Sequence, residues 1–92
     1  MNNLFKTKDL GISACLLSLN FKLIKTDWNG KEVFFYFDNE VEAAKIAHQY
    51  YFGGITVEAK VFHDNLVLLK REILAKYNPT KFRKDVRIYA SR

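Results

Sequence analysis

Little in this chain suits covalent, metal or redox chemistry. Its 92 residues include one cysteine, Cys15, and two histidines, His48 and His63. A lone cysteine cannot close an internal disulfide, and the histidines share no metal-ligand spacing with it. Cys15 lies in an apolar stretch with no charged neighbour to lower its pKa, so it reads as a packed thiol. There are four glycines and one proline. Gly53-Gly54 reads as a turn rather than a phosphate-cradling loop. Asp38, Glu40 and Glu42 gather at a helix start, where capping and the helix dipole account for them. No apolar run approaches the roughly 20 residues that cross a bilayer. The start, Met-Asn-Asn-Leu-Phe-Lys, has no basic segment followed by an apolar one. The expectation is a cytoplasmic protein, not an enzyme, with no catalytic residue, metal, cofactor, membrane partner or small-molecule substrate.

Apolar and aromatic material is plentiful: 49% of residues are hydrophobic and 15% aromatic. That is a folding composition, sufficient for one modest core. The net charge is +5, unevenly placed. Beyond residue 77 stand Lys81, Arg83, Lys84, Arg87 and Arg92 against Asp85 alone, so +4 of the +5 lies in the last stretch. Residues 1–77 form the expected domain, and residues 78–92 a basic C-terminal tail, docked or flexible. Such a tail favours an anionic partner.

The clearest periodicity runs from Thr56 to Tyr77. Ala59, Phe62, Leu66, Leu69 and Ile73 recur at spacings of three, four, three and four, which places them on one helical face. Upstream, Leu4-Phe5-Lys6 suits a short edge strand. Thr7 is the expected N-cap of a first helix through Leu19, apolar nearly all round, with Gly11, Ser13 and Ser18 as its thin polar side. Asn20 can end it in a left-handed conformation. Residues 21–37 read as a hairpin about Trp28-Asn29-Gly30. A three-residue loop with Asp27 facing Lys31 puts Phe21, Leu23, Val33, Phe35 and Phe37 on one face, against the first helix. The opposite face then carries Lys22, Ile24, Thr26, Glu32, Phe34 and Tyr36. Asn39 and Glu42 have capping-box spacing at a second helix, and Thr56 caps the third. The expected fold is α+β: a small antiparallel sheet (short strand plus hairpin) with three helices, in the order β-α-β-β-α-α. The last two helices should pair antiparallel.

Two features suggest nucleic acid, either DNA or RNA. Lys81, Arg83, Lys84 and Arg87 suit phosphate contacts. Phe34 and Tyr36, flanked by Lys22, suit stacking of single-stranded bases. Gly54-Ile55-Thr56 between helices invites comparison with a helix-turn-helix. However, Tyr50 stands where that motif needs a small residue, and Lys60 and His63 fall where it packs apolar ones. The third helix is better read as scaffold. The second function class is protein interaction, as a homodimer or as an inhibitor or adaptor of a host protein. It draws on the surplus apolar surface of the outer sheet face and the alanine-lined second helix.

Several stretches together carry a resemblance. They are Phe5-Lys6-Thr7-Lys8-Asp9, Leu16-Leu17, Phe35-Tyr36-Phe37-Asp38, Tyr50-Tyr51 before Gly54, and Val57, Ala59, Phe62, Leu66 and Leu69. Across roughly residues 4–75 the chain resembles an uncharacterised domain-of-unknown-function family of small bacterial and phage proteins. The resemblance implies a phage or mobile-element context and supplies no active site to carry over.

Overall fold

The computed structural model describes residues 3–77, with side chains through residue 75. Six elements follow one another: β1 (Phe5–Thr7), α1 (Leu10–Ser18), β2 (Leu23–Trp28), β3 (Val33–Phe37), α2 (Glu40–Phe52) and α3 (Ala59–Tyr77). The strands form an antiparallel sheet in the order β1-β3-β2, so the strand richest in aromatics lies between the other two. This is the α+β architecture expected from the sequence.

The core follows from α1. Five successive residues, Ile12 to Leu16, are buried, and no single face of a helix can hold five neighbours. The helix is therefore covered on most sides. Ile12, Ala14 and Leu16 join one buried cluster with Val33, Phe35 and Phe37 of β3, Ala43 and Ala47 of α2, and Leu69 of α3. The thin polar side expected on α1 is not a solvent face. The Ser13 hydroxyl donates to the Asp9 carbonyl and the Ser18 hydroxyl to the Ala14 carbonyl, at 2.8 and 2.7 Å. Bonding back one turn lets Ser13 be fully buried and Ser18 half-buried with their hydroxyls satisfied. Ser18 also accepts from Asn65 Nδ2 of α3 at 3.1 Å. At Gly11 a Cβ would stand 2.0 Å from the Tyr50 hydroxyl, so any larger residue would push the end of that side chain away from α1.

The caps differ from the sequence reading. Asp9, not Thr7, caps α1: its Oδ1 accepts from Ile12 N at 2.9 Å, while Thr7 Oγ1 accepts from Asp9 N at 3.1 Å. The second oxygen of Asp9 accepts from the Tyr51 hydroxyl at 3.0 Å, so one carboxylate both starts α1 and tethers the end of α2. That bond favours the neutral phenol and holds the Tyr51 pKa above its ordinary value. Asn39 makes no side-chain cap: it is itself left-handed (φ 59°), which turns its side chain away from the helix amides. Thr56 does not cap α3, which begins three residues later with Phe62 N donating to Glu58 O at 2.9 Å. Ala59, in that first turn, is consequently exposed, while Phe62, Leu66, Leu69 and Ile73 face inward as their spacing requires.

The two long helices do not pair. Gly53 and Gly54 both have positive φ (95° and 98°), a conformation that side chains rarely adopt. They redirect the chain, and α3 runs along α1 while α2 packs against α1 and β1. Asn20, with φ 70°, ends α1 in the left-handed conformation its residue type suggests.

The hairpin register is the main correction. Trp28 pairs with Val33, Asp27 with Phe34, Thr26 with Phe35 and Lys25 with Tyr36. The chain turns over Asn29–Glu32, with Asn29 N donating to Glu32 O at 3.3 Å. Asn29 Oδ1 accepts from the amides of Lys31 and Glu32, at 3.0 and 2.9 Å. Gly30 supplies the positive φ (93°) that a right-twisted hairpin turn needs at its first central position. This turn puts Thr26 and Trp28 on the same side of the sheet as Phe35 and Val33, Thr26 half-buried and Trp28 exposed at the end of the strand. Leu23 must also face inward, opposite Phe37, and a register shift between Leu23 and Lys25 restores it. The shift is a bulge, one extra residue that resets the alternation. Ile24 is that residue, and it is exposed.

Candidate nucleic-acid interface

Alternation along β3 fixes the outer face of the sheet. Val33, Phe35 and Phe37 are buried, and Phe34 and Tyr36 between them are only half-buried. Register then decides what flanks the two rings. Lys6 of β1 and Lys25 of β2 both stand directly opposite Tyr36, one on each side. Asp27 stands opposite Phe34. The face is thus built in rows: lysine, tyrosine, lysine, and beside it phenylalanine with an acid.

The side chains follow that layout. Lys6 Nζ lies 4.5 Å from the Phe34 ring centroid and 5.9 Å from that of Tyr36. Lys25 Nζ lies 4.6 Å from the Tyr36 centroid. Ammonium groups at this range are drawn to the negative ring face. Lys8, just past β1, pairs with Glu32 at the turn, and the carboxylate raises the Lys8 pKa. That pair cancels locally, leaving Lys6 and Lys25 as the positive charge beside the aromatics.

Phe34 and Tyr36 therefore take the positions the sequence assigns them, and Lys22 does not. Its amide donates to Asp38 Oδ1 and its carbonyl accepts from Asp38 N, at 3.1 and 3.2 Å, ahead of β2. The three-residue loop would have set Lys22 opposite Tyr36; the observed register gives that place to Lys25. Thr26 turns inward for the same reason. Lys81, Arg83, Lys84 and Arg87 lie outside the described residues. Lys6, Lys25 and Asp27 are the site residues that sequence reasoning missed. The sequence places a short strand at Leu4-Phe5-Lys6, one residue ahead of the observed Phe5–Thr7, and does not identify its partner strand.

Elsewhere, the Cys15 thiol is buried and its pKa is pushed up by that burial, which suppresses the reactive thiolate. It lines an open, mostly apolar hollow with Tyr50, Ile55, Val57, Ala59 and Phe62. Among the described residues, no group of three or more His, Cys, Asp or Glu side chains is placed to hold a metal ion. No helix among them is long and apolar enough to cross a membrane. A second exposed surface lies on α2, where Val41 (65% exposed), His48 and Phe52 (78% exposed) share one helical face. The His48 and Phe52 rings there are 4.7 Å apart.

Searches against protein-family models, curated proteins and solved structures each found no match. The resemblance drawn from the sequence gains no support from them and loses none.

Proposed function

We propose that this protein is a small non-enzymatic binder of single-stranded nucleic acid, with the outer face of its sheet as the contact surface. The observation that carries this reading is the row Lys6–Tyr36–Lys25, with Phe34 next to it on the same strand. Rings two residues apart on a strand are about 7 Å apart. That is about twice the 3.4 Å rise of a stacked strand. Two bases lying on these rings must be separated from each other, which a single strand allows and a duplex does not. A base must also displace the ammonium resting over its ring. An exposed cation–π contact is worth about 0.5–1 kcal/mol, and base–aromatic stacking about 1–3 kcal/mol. Stacking wins, and the released lysine turns to a phosphate. The tail cations Lys81, Arg83, Lys84 and Arg87 add sequence-independent attraction. A phage or mobile-element setting is what the family resemblance implies for such a binder.

Fluorescence anisotropy with a labelled oligo-U or oligo-T tests this reading. The expected slope of log affinity against log salt is about −1.4 if Lys6 and Lys25 alone neutralise phosphates, and about −4 if the four tail cations join them. A duplex of equal length should bind more weakly. Absence of binding at low salt would remove the proposal.

The exposed stripe on α2 favours a second reading, a protein partner or a second copy of this chain. Its residues lie on a helix that packs against α1 and β1, so a dimer through α2 would leave Phe34 and Tyr36 free. Light-scattering mass in solution tests this second reading independently of the first. A stable dimer dissociated by Phe52→Asp would assign α2 to self-association.

A further inference from the structure

The row beside Tyr36 sets an acid against an aromatic ring. Asp27 stands directly opposite Phe34 on the same side of the sheet, is exposed, and belongs to a neighbouring strand. Side chains facing each other across two strands have Cβ atoms about 4.5–5.5 Å apart. A base on the Phe34 ring therefore comes within reach of the Asp27 carboxylate. Phosphate does not belong there, because like charges repel. The phosphates belong on the other row, toward Lys6 and Lys25, and the edge of the base faces the acid.

An ionised carboxylate only accepts hydrogen bonds, and it offers two oxygens side by side. It selects an edge carrying two adjacent donors. Guanine has such an edge, with N1–H beside the N2 amino group. Adenine and cytosine each place one amino group beside an acceptor nitrogen. Uracil and thymine place one N–H between two carbonyls. We infer that Asp27 selects guanine for the nucleotide stacked on Phe34, in a strand whose neighbouring base stacks on Tyr36. This rests on the reading of the face as a single-strand surface.

The test measures anisotropy at fixed low salt for labelled RNA hexamers UUGUUU, UUAUUU, UUCUUU and UUUUUU. Wild-type protein should bind the guanine hexamer about tenfold more tightly than the others, as a good bidentate contact discriminates. In Asp27→Asn the preference should shrink to about twofold or less. Binding of UUUUUU should hold or strengthen, since a negative charge has gone. Equal binding of all four by wild type, or a preference that survives Asp27→Asn, overturns the assignment of Asp27. If all four bind alike, the guanine preference falls and the single-strand surface stands. If none binds, both fall.

Discussion

Replacing Phe35 by alanine should abolish cooperative folding. Phe35 is fully buried in the middle of the central strand, paired with Thr7 on one side and Thr26 on the other. Its ring faces the cluster that unites α1, α2 and α3 with the sheet. Truncating a buried phenylalanine costs about 3–5 kcal/mol, from lost transfer energy and the cavity left behind. A native domain has only about 5–15 kcal/mol in total, and one this small lies toward the low end. The expected readout is a broad, non-cooperative urea transition by circular dichroism, or none. Val67→Ala, on the half-exposed flank of α3, serves as the control and should change stability by about 0.5 kcal/mol or less. A Phe35→Ala protein that unfolds as sharply as wild type would show that this ring does not organise the core.

The same residue marks where sequence reading succeeds. Val33, Phe35 and Phe37 alternate with Phe34 and Tyr36, and a strand has only two sides, so the inner set was legible before any partner was known. The all-round apolar α1 and the three-four ladder of α3 were legible for the corresponding helical reason. Each depends on periodicity within a single element.

What was not legible depends on more than one element. The hairpin register rests on Asn29 Oδ1 accepting two loop amides and on a bulge at Ile24. Nothing in the period of β2 announces either, because Phe21, Leu23, Val33, Phe35 and Phe37 also fit a register without a bulge. A slip in register exchanges the faces of β2, so the error travelled directly into the site. The register without a bulge gives Lys22 the place that Lys25 holds and sets Asp27 opposite Lys31 instead of Phe34. The helix caps failed in a similar way. Thr7 and Asp9 are both good capping residues; α1 starts at Leu10, so Asp9 takes the cap, and its second oxygen also holds Tyr51, forty-two residues further on. The pairing of α2 with α3 failed because the short connection between them suggests adjacent helices, while two glycines with positive φ turn the chain away.

Removing both rings of the outer face should separate binding from folding. Each base–aromatic stack is worth about 1–3 kcal/mol by alanine substitution. Phe34→Ala with Tyr36→Ala should therefore weaken oligonucleotide binding by at least roughly 30-fold, taking the lower figure for each ring. The salt slope should stay within about 0.5 of wild type, because the proposed surface leaves phosphate contact to the lysines and not to the rings. Lys6→Ala with Lys25→Ala should do the reverse. Its slope should fall by about 1.4 and its affinity loss should shrink at high salt, where the electrostatic contribution is already screened. The rings are half-buried, so the alanine pair also removes apolar cover from the sheet. Phe34→Leu with Tyr36→Leu controls for this by keeping aliphatic bulk and losing the flat π-face. The leucine pair should melt near wild type and bind nearly as poorly as the alanine pair. If the leucine pair binds as wild type does, the face contributes hydrophobic surface and not stacking, and the single-strand reading loses its basis. If it loses affinity with an unchanged salt slope, the aromatic row on β3 holds the bases and the lysines on β1 and β2 hold the backbone.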